Sequence, residues 1–173
     1  MAASRQPLLV VFGGLPGTGK TTISRELTRR LSATYLRIDA IEQSLYAAGQ
    51  AGGEMGYVIA NALAAENLKL GRMVIADCVN PVVASRNGWR ETARGSAARI
   101  VEIETVCSDL CMHRSRLEGR LPDIYGHDLP TWGGVVNRVY EPWDRGRLIL
   151  DTATSSIEQL VDIAESHVRG VTL

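Results

Sequence analysis

The chain has 173 residues, and its 19 Lys+Arg balance 19 Asp+Glu to a formal net charge of zero. That balance leaves no basic excess to neutralise a long phosphate backbone, so composition argues against a nucleic-acid partner. With 45% hydrophobic and 22% charged residues, the sequence describes a globular protein rather than a disordered or membrane one, and we expect one domain over residues 1–173.

Aromatic residues are few, at one Phe, three Trp and five Tyr, so the core should be Leu, Ile, Val and Ala. The three cysteines, Cys78, Cys107 and Cys111, have no zinc-like spacing. Cys107 and Cys111 read as small buried hydrophobes, and the odd count suits a reducing cytoplasm. Residues 1–7 are too short and polar for a secretory leader. No apolar run approaches the roughly 18 residues of a membrane span.

Leu8-Leu9-Val10-Val11-Phe12 predicts a first strand buried on both faces, as in a parallel sheet. It feeds Gly14-Leu15-Pro16-Gly17-Thr18-Gly19-Lys20-Thr21-Thr22, which completes the pattern G-x-x-x-x-G-K-[ST]. A helical pattern from Lys20 to Ser32 follows. Strand, glycine-rich turn and helix therefore stand in the order that a phosphate-binding P-loop requires. Glycines let backbone N–H groups come close to a phosphate, and the helix N-terminus adds positive potential. Lys20 would place its charge on the β- and γ-phosphates, and the Thr21 hydroxyl would ligate Mg²⁺. The bland alternative, a ligand-free turn, does not need this context on both sides. Within the helix, Ile23 and Leu27 face inward, and Arg25, Glu26 and Arg29 form the wet side.

Residues 33–38 form the second strand, which ends at Asp39. Asp39-x-x-Glu42 is a helix-start signature, so Asp39 reads either as an N-cap or as a carboxylate at the ligand-binding edge of the sheet. Residues 47–56 are glycine- and alanine-rich and read as a loop before a long helix over 55–70. The third strand, 72–77, ends on Asp77. An apolar strand closing with an acid, in a chain with a P-loop, is the Walker B arrangement, whose carboxylate holds Mg²⁺ directly or through water. The alternative is a buried acid tied to loop N–H groups. A helix over 82–94 carries Arg86 and Arg90 at i,i+4, either as a solvated face or within reach of a substrate.

A fourth strand spans 98–106, and Ser108 is the expected cap of a helix over 109–118. His113, Arg114, Arg116 and Arg120 concentrate positive charge there, either as a plain surface or as a clamp on a phosphate. Residues 121–131, with Pro122, Gly126 and Pro130, read as a mobile lid. A short helix over 132–140, a turn-rich connector, a fifth strand over 147–150 and a final helix to about residue 168 complete the chain. Ser155-Ser156-Ile157-Glu158 is read as a capping box. Five strands alternating with helices give an α/β fold with a parallel sheet.

The P-loop, Asp39 closing strand two, Asp77 closing strand three and Arg116-x-x-x-Arg120 together resemble the P-loop small-molecule kinases. The likeness is to the bacterial predicted-kinase group with an AAA-type ATP-binding domain. That group is related to chloramphenicol phosphotransferase, zeta toxins, gluconate kinase and the kinase domain of polynucleotide kinase. The resemblance covers nearly the whole chain. It implies a three-layer P-loop NTPase fold, with five parallel strands in the order 2-3-1-4-5, helices on both faces and a lid over about 119–135. It implies ATP and Mg²⁺ as cofactors and a small-molecule hydroxyl as acceptor. Asp39 would be the base or acceptor-orienting group, Arg116 would lie near adenine or the phosphates, and Arg120 on the γ-phosphate. Thr152-Ala153-Thr154 would line the adenine. Acceptor contacts would come from residues 44–60 and the lid. The lid lacks further arginines, so charge closure would fall to Arg114, Arg86 or Arg90. A monomer or a homodimer fits.

Two other functions compete. One is a nucleotide or polynucleotide 5′-hydroxyl kinase, disfavoured by neutral charge and the lack of an aromatic-basic stripe. The other is a non-catalytic ATP-binding regulatory module, disfavoured by the presence of Lys20, Asp39 and Asp77 together.

Overall fold

The computed structural model describes residues 6–172, so the expectation for residues 1–7 lies largely outside it. The chain runs β1 (Leu8–Gly13), α1 (Lys20–Leu31), β2 (Thr34–Arg37), α2 (Ile38–Ala47), α3 (Glu54–Lys69), β3 (Val74–Asp77), α4 (Val83–Gly95), β4 (Arg99–Val106), α5 (Leu110–Glu118), α6 (Trp132–Val136), β5 (Leu148–Asp151) and α7 (Ile157–Thr172). All strand pairs are parallel, and the sheet order is β2-β3-β1-β4-β5. This is the order expected from the resemblance.

β1 is the central strand, and all six of its residues are buried. The period of two splits it between two cores. Leu8, Val10 and Phe12 point to the side covered by α1 and α7, where Ile23, Leu27, Leu160, Val161, Ala164 and Val168 pack. Leu9 and Val11 point to the opposite side, against Ile38 of α2, Ala60, Ala64 and Leu68 of α3, and Trp89 and Ala93 of α4. Burying each such aliphatic side chain contributes about 1.5–3 kcal/mol. The alanines of α3 let its backbone lie close to the sheet. Among the described residues, no helix is long and apolar enough to cross a membrane.

Register aligns the strand ends that carry the site. Phe12 and Arg37 both stand beside Asp77, so the P-loop, the end of β2 and the end of β3 open onto one edge.

Several boundaries differ from the sequence expectation. The N-cap position of α2 is Arg37, with no side-chain cap, so Asp39 lies inside the first turn rather than capping it. Asp109, not Ser108, caps α5, with its Oδ1 accepting from Met112 N–H at 2.9 Å. The capping box of α7 sits one residue later: Ser156 and Gln159 exchange hydrogen bonds at 3.3 and 3.0 Å. Consecutive serines offered two registers, and Gln159 serves as well as Glu158. The short helix α6 stops at Val136, and α7 runs on to Thr172. Cys107 is buried as expected, but Cys111 is exposed, because the outer side of α5 faces solvent.

Candidate active site

The loop between β1 and α1 is shaped by positive φ at Gly14 (140°), Gly17 (86°) and Gly19 (87°). A Cβ on Gly14 would lie 2.3 Å from the Thr105 carbonyl oxygen, so only glycine fits. The loop is braced from behind. Gly14 N–H donates to Val79 O at 3.0 Å, and the Thr18 hydroxyl to Leu15 O at 2.8 Å. His113 Nε2 donates to Pro16 O at 2.7 Å. Leu15, Pro16, Gly17, Gly19, Lys20, Thr21 and Thr22 line a cleft of about 860 Å³. Gly14 and Thr18 shape the loop from beneath. The N–H groups of Lys20 and Thr21 open α1 and have no carbonyl one turn back, so they suit an anion.

Lys20 Nζ is 2.9 Å from Asp77 Oδ1, and the two side chains are 8% and 1% exposed. The Tyr35 hydroxyl donates to Asp77 Oδ2 at 2.7 Å. Burial pushes the Asp77 carboxyl up. The Lys20 charge and hydrogen bonds from Tyr35, Lys20 and Thr21 outweigh it and hold the group below the usual carboxylate range. Burial likewise pulls Lys20 down, and the charges of Asp77 and Asp39 outweigh it and raise the ammonium. At neutral pH the pair is therefore charged. Among the described residues, no cluster of three or more His, Cys, Asp or Glu could hold a metal unaided. An ionised Asp77 with the Thr21 hydroxyl against it suits Mg²⁺, which takes one or two protein oxygens and completes its shell with phosphates and water.

Across the cleft lies a second set of groups. Asp39 and Glu42 both line it, as the i,i+3 spacing on α2 requires. Glu42 Oε1 accepts from Gly53 N–H at 3.0 Å. Burial raises the Glu42 carboxyl above its ordinary value, against the Gly53 hydrogen bond and the Arg138 and His127 charges. Tyr57, whose hydroxyl accepts from Asn80 N–H at 2.9 Å, forms the floor. His127, Asp128 and Arg138 close the far side. Sequence reasoning named the segments 44–60 and the lid, which bring Tyr46, Tyr57, His127 and Asp128 to the cleft, without singling out these residues, and it missed Glu42, Arg138 and Tyr35. The spacing from Asp39 could have found Glu42. The others belong to no local pattern.

The arginines separate into two kinds. Arg116 and Arg120 line the cleft. Arg116 Nη1 donates to the Thr152 hydroxyl at 2.8 Å and Nη2 to the Thr152 carbonyl at 3.1 Å. Thr152 is 3% exposed and donates to Thr18 O at 3.0 Å, so it links Arg116 to the back of the P-loop, and Ile157 reaches the cleft instead. Arg86 is neither solvated nor at the cleft. It is fully buried and donates to the carbonyls of Asn80, Pro81, Glu141 and Pro142. Arg90 pairs with Glu102 and Asp144, and Arg114 with Glu118 on the exposed side of α5. The extra cleft arginines are Arg25 and Arg138. Arg25, assigned to the wet side of α1, lies one turn after Thr21 and so shares its face.

A family model described as an AAA domain, AAA_33, matches residues 9–127, from β1 through the P-loop, Asp39 and Asp77. The chain belongs to the AAA_33 family. Solved structures share the fold of this AAA_33 chain. A gluconokinase from Sinorhizobium meliloti is 17% identical, with a TM-score of 0.67 over 97% of this chain and 95% of its own. An APS kinase from Mycobacterium tuberculosis, in complex with AMPPNP and APS, is 18% identical, with a TM-score of 0.67 over 92% and 96%. A sugar kinase from a Janibacter species is 18% identical, with a TM-score of 0.65 over 93% of each chain. No curated protein matches the sequence. The fold of this AAA_33 protein is that of the P-loop kinases.

Proposed function

We propose that this protein transfers the γ-phosphoryl group of Mg·ATP to a hydroxyl of a small molecule. The observation that carries this proposal is the placing of Lys20. Its ammonium pairs with Asp77 at 2.9 Å, and Lys20 and Asp39 line the same cleft, so the donor-side cation and the acceptor-side carboxylate face one space. The P-loop N–H groups and Lys20 hold the β- and γ-phosphates. Thr21 and Asp77 would hold Mg²⁺, which would supply neutralising charge. Asp39 takes or orients the proton of the acceptor hydroxyl as its oxygen bonds to phosphorus and the bond to the β-phosphate oxygen breaks. Arg116, braced by Thr152, and Arg120 neutralise the transferring group. Residues 119–135 act as a lid that excludes water. Positioning and charge supply most of the catalysis. The gluconokinase and sugar kinase among the structural neighbours support a hydroxyl acceptor.

Asp39→Asn tests this. It should leave ATP affinity within about twofold and cut transfer by roughly 10² or more, the range of general acid–base assistance. Transfer at the wild-type rate would remove Asp39 from the mechanism.

A further inference from the structure

Asp123 is the meeting point of three arginines from three parts of the chain. Arg37, at the end of β2, holds it as a fork: Nη1 to Oδ2 at 2.7 Å and Nη2 to Oδ1 at 3.1 Å. Arg25 of α1 reaches Oδ2 at 2.9 Å, and Arg120 reaches Oδ1 at 3.6 Å. The Arg37 side chain is 3% exposed, so its fork is made by a cation withdrawn from water, where charge-assisted pairs are strongest. Two neighbouring features fit the segment down. Ile124 lines an apolar groove with Leu36, Ile41 and Leu45. Gly126 lies so close to α2 that a Cβ would come 2.9 Å from Gln43 Nε2.

Arg37 also touches the acceptor side. Its Nη2 is 3.4 Å from Asp39 Oδ2, a longer and weaker contact than either contact to Asp123. The guanidinium is thus shared between the lid carboxylate and Asp39, and Asp123 holds the larger share. Lifting the lid would remove both short contacts and leave Asp39 as the nearest acid for a buried cation.

We propose that Arg37 and Asp123 are positioning residues: Asp123 latches the lid over the cleft, and by engaging Arg37 it keeps Asp39 free to face the acceptor. Lid closure and the setting of Asp39 are then one event. The role given to Asp39 rests on the proposed function, but the latch and the link do not.

The test uses Asp123→Asn, which keeps the side chain's shape and removes its charge. Hydrogen exchange of amides in residues 119–131 should become at least about tenfold faster. In protein labelled with ¹³C-aspartate, the Asp39 carboxyl resonance at fixed neutral pH should move as Arg37 turns to it. Glu118→Gln, which disturbs only the exposed pair with Arg114, should change neither. With an acceptor in hand, Asp123→Asn should lower kcat and leave KM for ATP unchanged. Unchanged exchange would overturn the latch. Faster exchange with a stationary Asp39 resonance would overturn the link. Both signals are read without turnover. If both change and the wild-type protein transfers phosphate to nothing, the latch stands and the kinase proposal falls.

Discussion

Lys20 is the residue on which the donor side of the proposed reaction turns. It is buried with one strong partner, Asp77, at 2.9 Å, and removing one member of a buried pair leaves an uncompensated charge. Lys20→Ala should therefore abolish transfer, weaken ATP binding and cost about 3 kcal/mol of stability at pH 7. The pH dependence follows from the shifts. Asp77 is depressed in the folded protein, so its contribution is present above its unfolded value near ~4 and is lost as pH falls through the folded one. Lys20 is raised, so its contribution holds below ~10.4 and is lost only as pH rises beyond the folded value. In Lys20→Ala, Asp77 is buried without its cation and gains by protonating. The stability gap between wild type and variant, measured by urea unfolding, should narrow as pH falls, first above about 4 as Asp77 of the variant protonates and then below it as the wild-type contribution is lost. A constant gap would show that the pair does not hold Asp77 ionised. Lys20 and Asp77 were legible in the sequence because a motif and a strand end mark them. Tyr35 was not, since nothing in an alternating strand says that a phenol will reach the acid of the next strand.

Among the elements, α4 carries two arginines with different partners. Arg86 and Arg90 at i,i+4 share a face, but spacing does not say what that face meets. The structure puts Arg86 against the turn after β3 and the connector 141–143. Its guanidinium carbon is 4.3 Å from the Trp143 ring centre, and its donors satisfy four backbone carbonyls. A lysine keeps the charge and cannot reproduce the fork. Arg86→Lys should cost at least about 2 kcal/mol through carbonyls left unpaired, read as a lowered denaturation midpoint. A stability within ~0.5 kcal/mol of wild type, the range of ordinary surface changes, would contradict a structural role. β1, α1 and the P-loop were legible because strand, glycines and helix punctuate one another. Boundaries such as the α7 cap were not, because two registers satisfied the same pattern.

At the scale of the molecule, β-α alternation gave away the parallel sheet, and the β2-β3-β1-β4-β5 order followed from the resemblance. Of the cleft wall facing the P-loop, only two contributing segments, 44–60 and the lid, were legible. Glu42, Tyr57, His127 and Arg138 come from α2, α3, the lid and the connector, and only tertiary packing brings them together. The zero net charge was legible, but not its arrangement, in which three arginines share the single acid Asp123. The measurement that tests the kinase proposal most directly is transfer from γ-labelled Mg·ATP to a panel of hydroxyl-bearing metabolites and antibiotics, with hydrolysis recorded without acceptor. Label should pass to one acceptor class well above hydrolysis, and not at all in Lys20→Ala. Label released only to water across the panel, or passed equally well by Lys20→Ala, would contradict it.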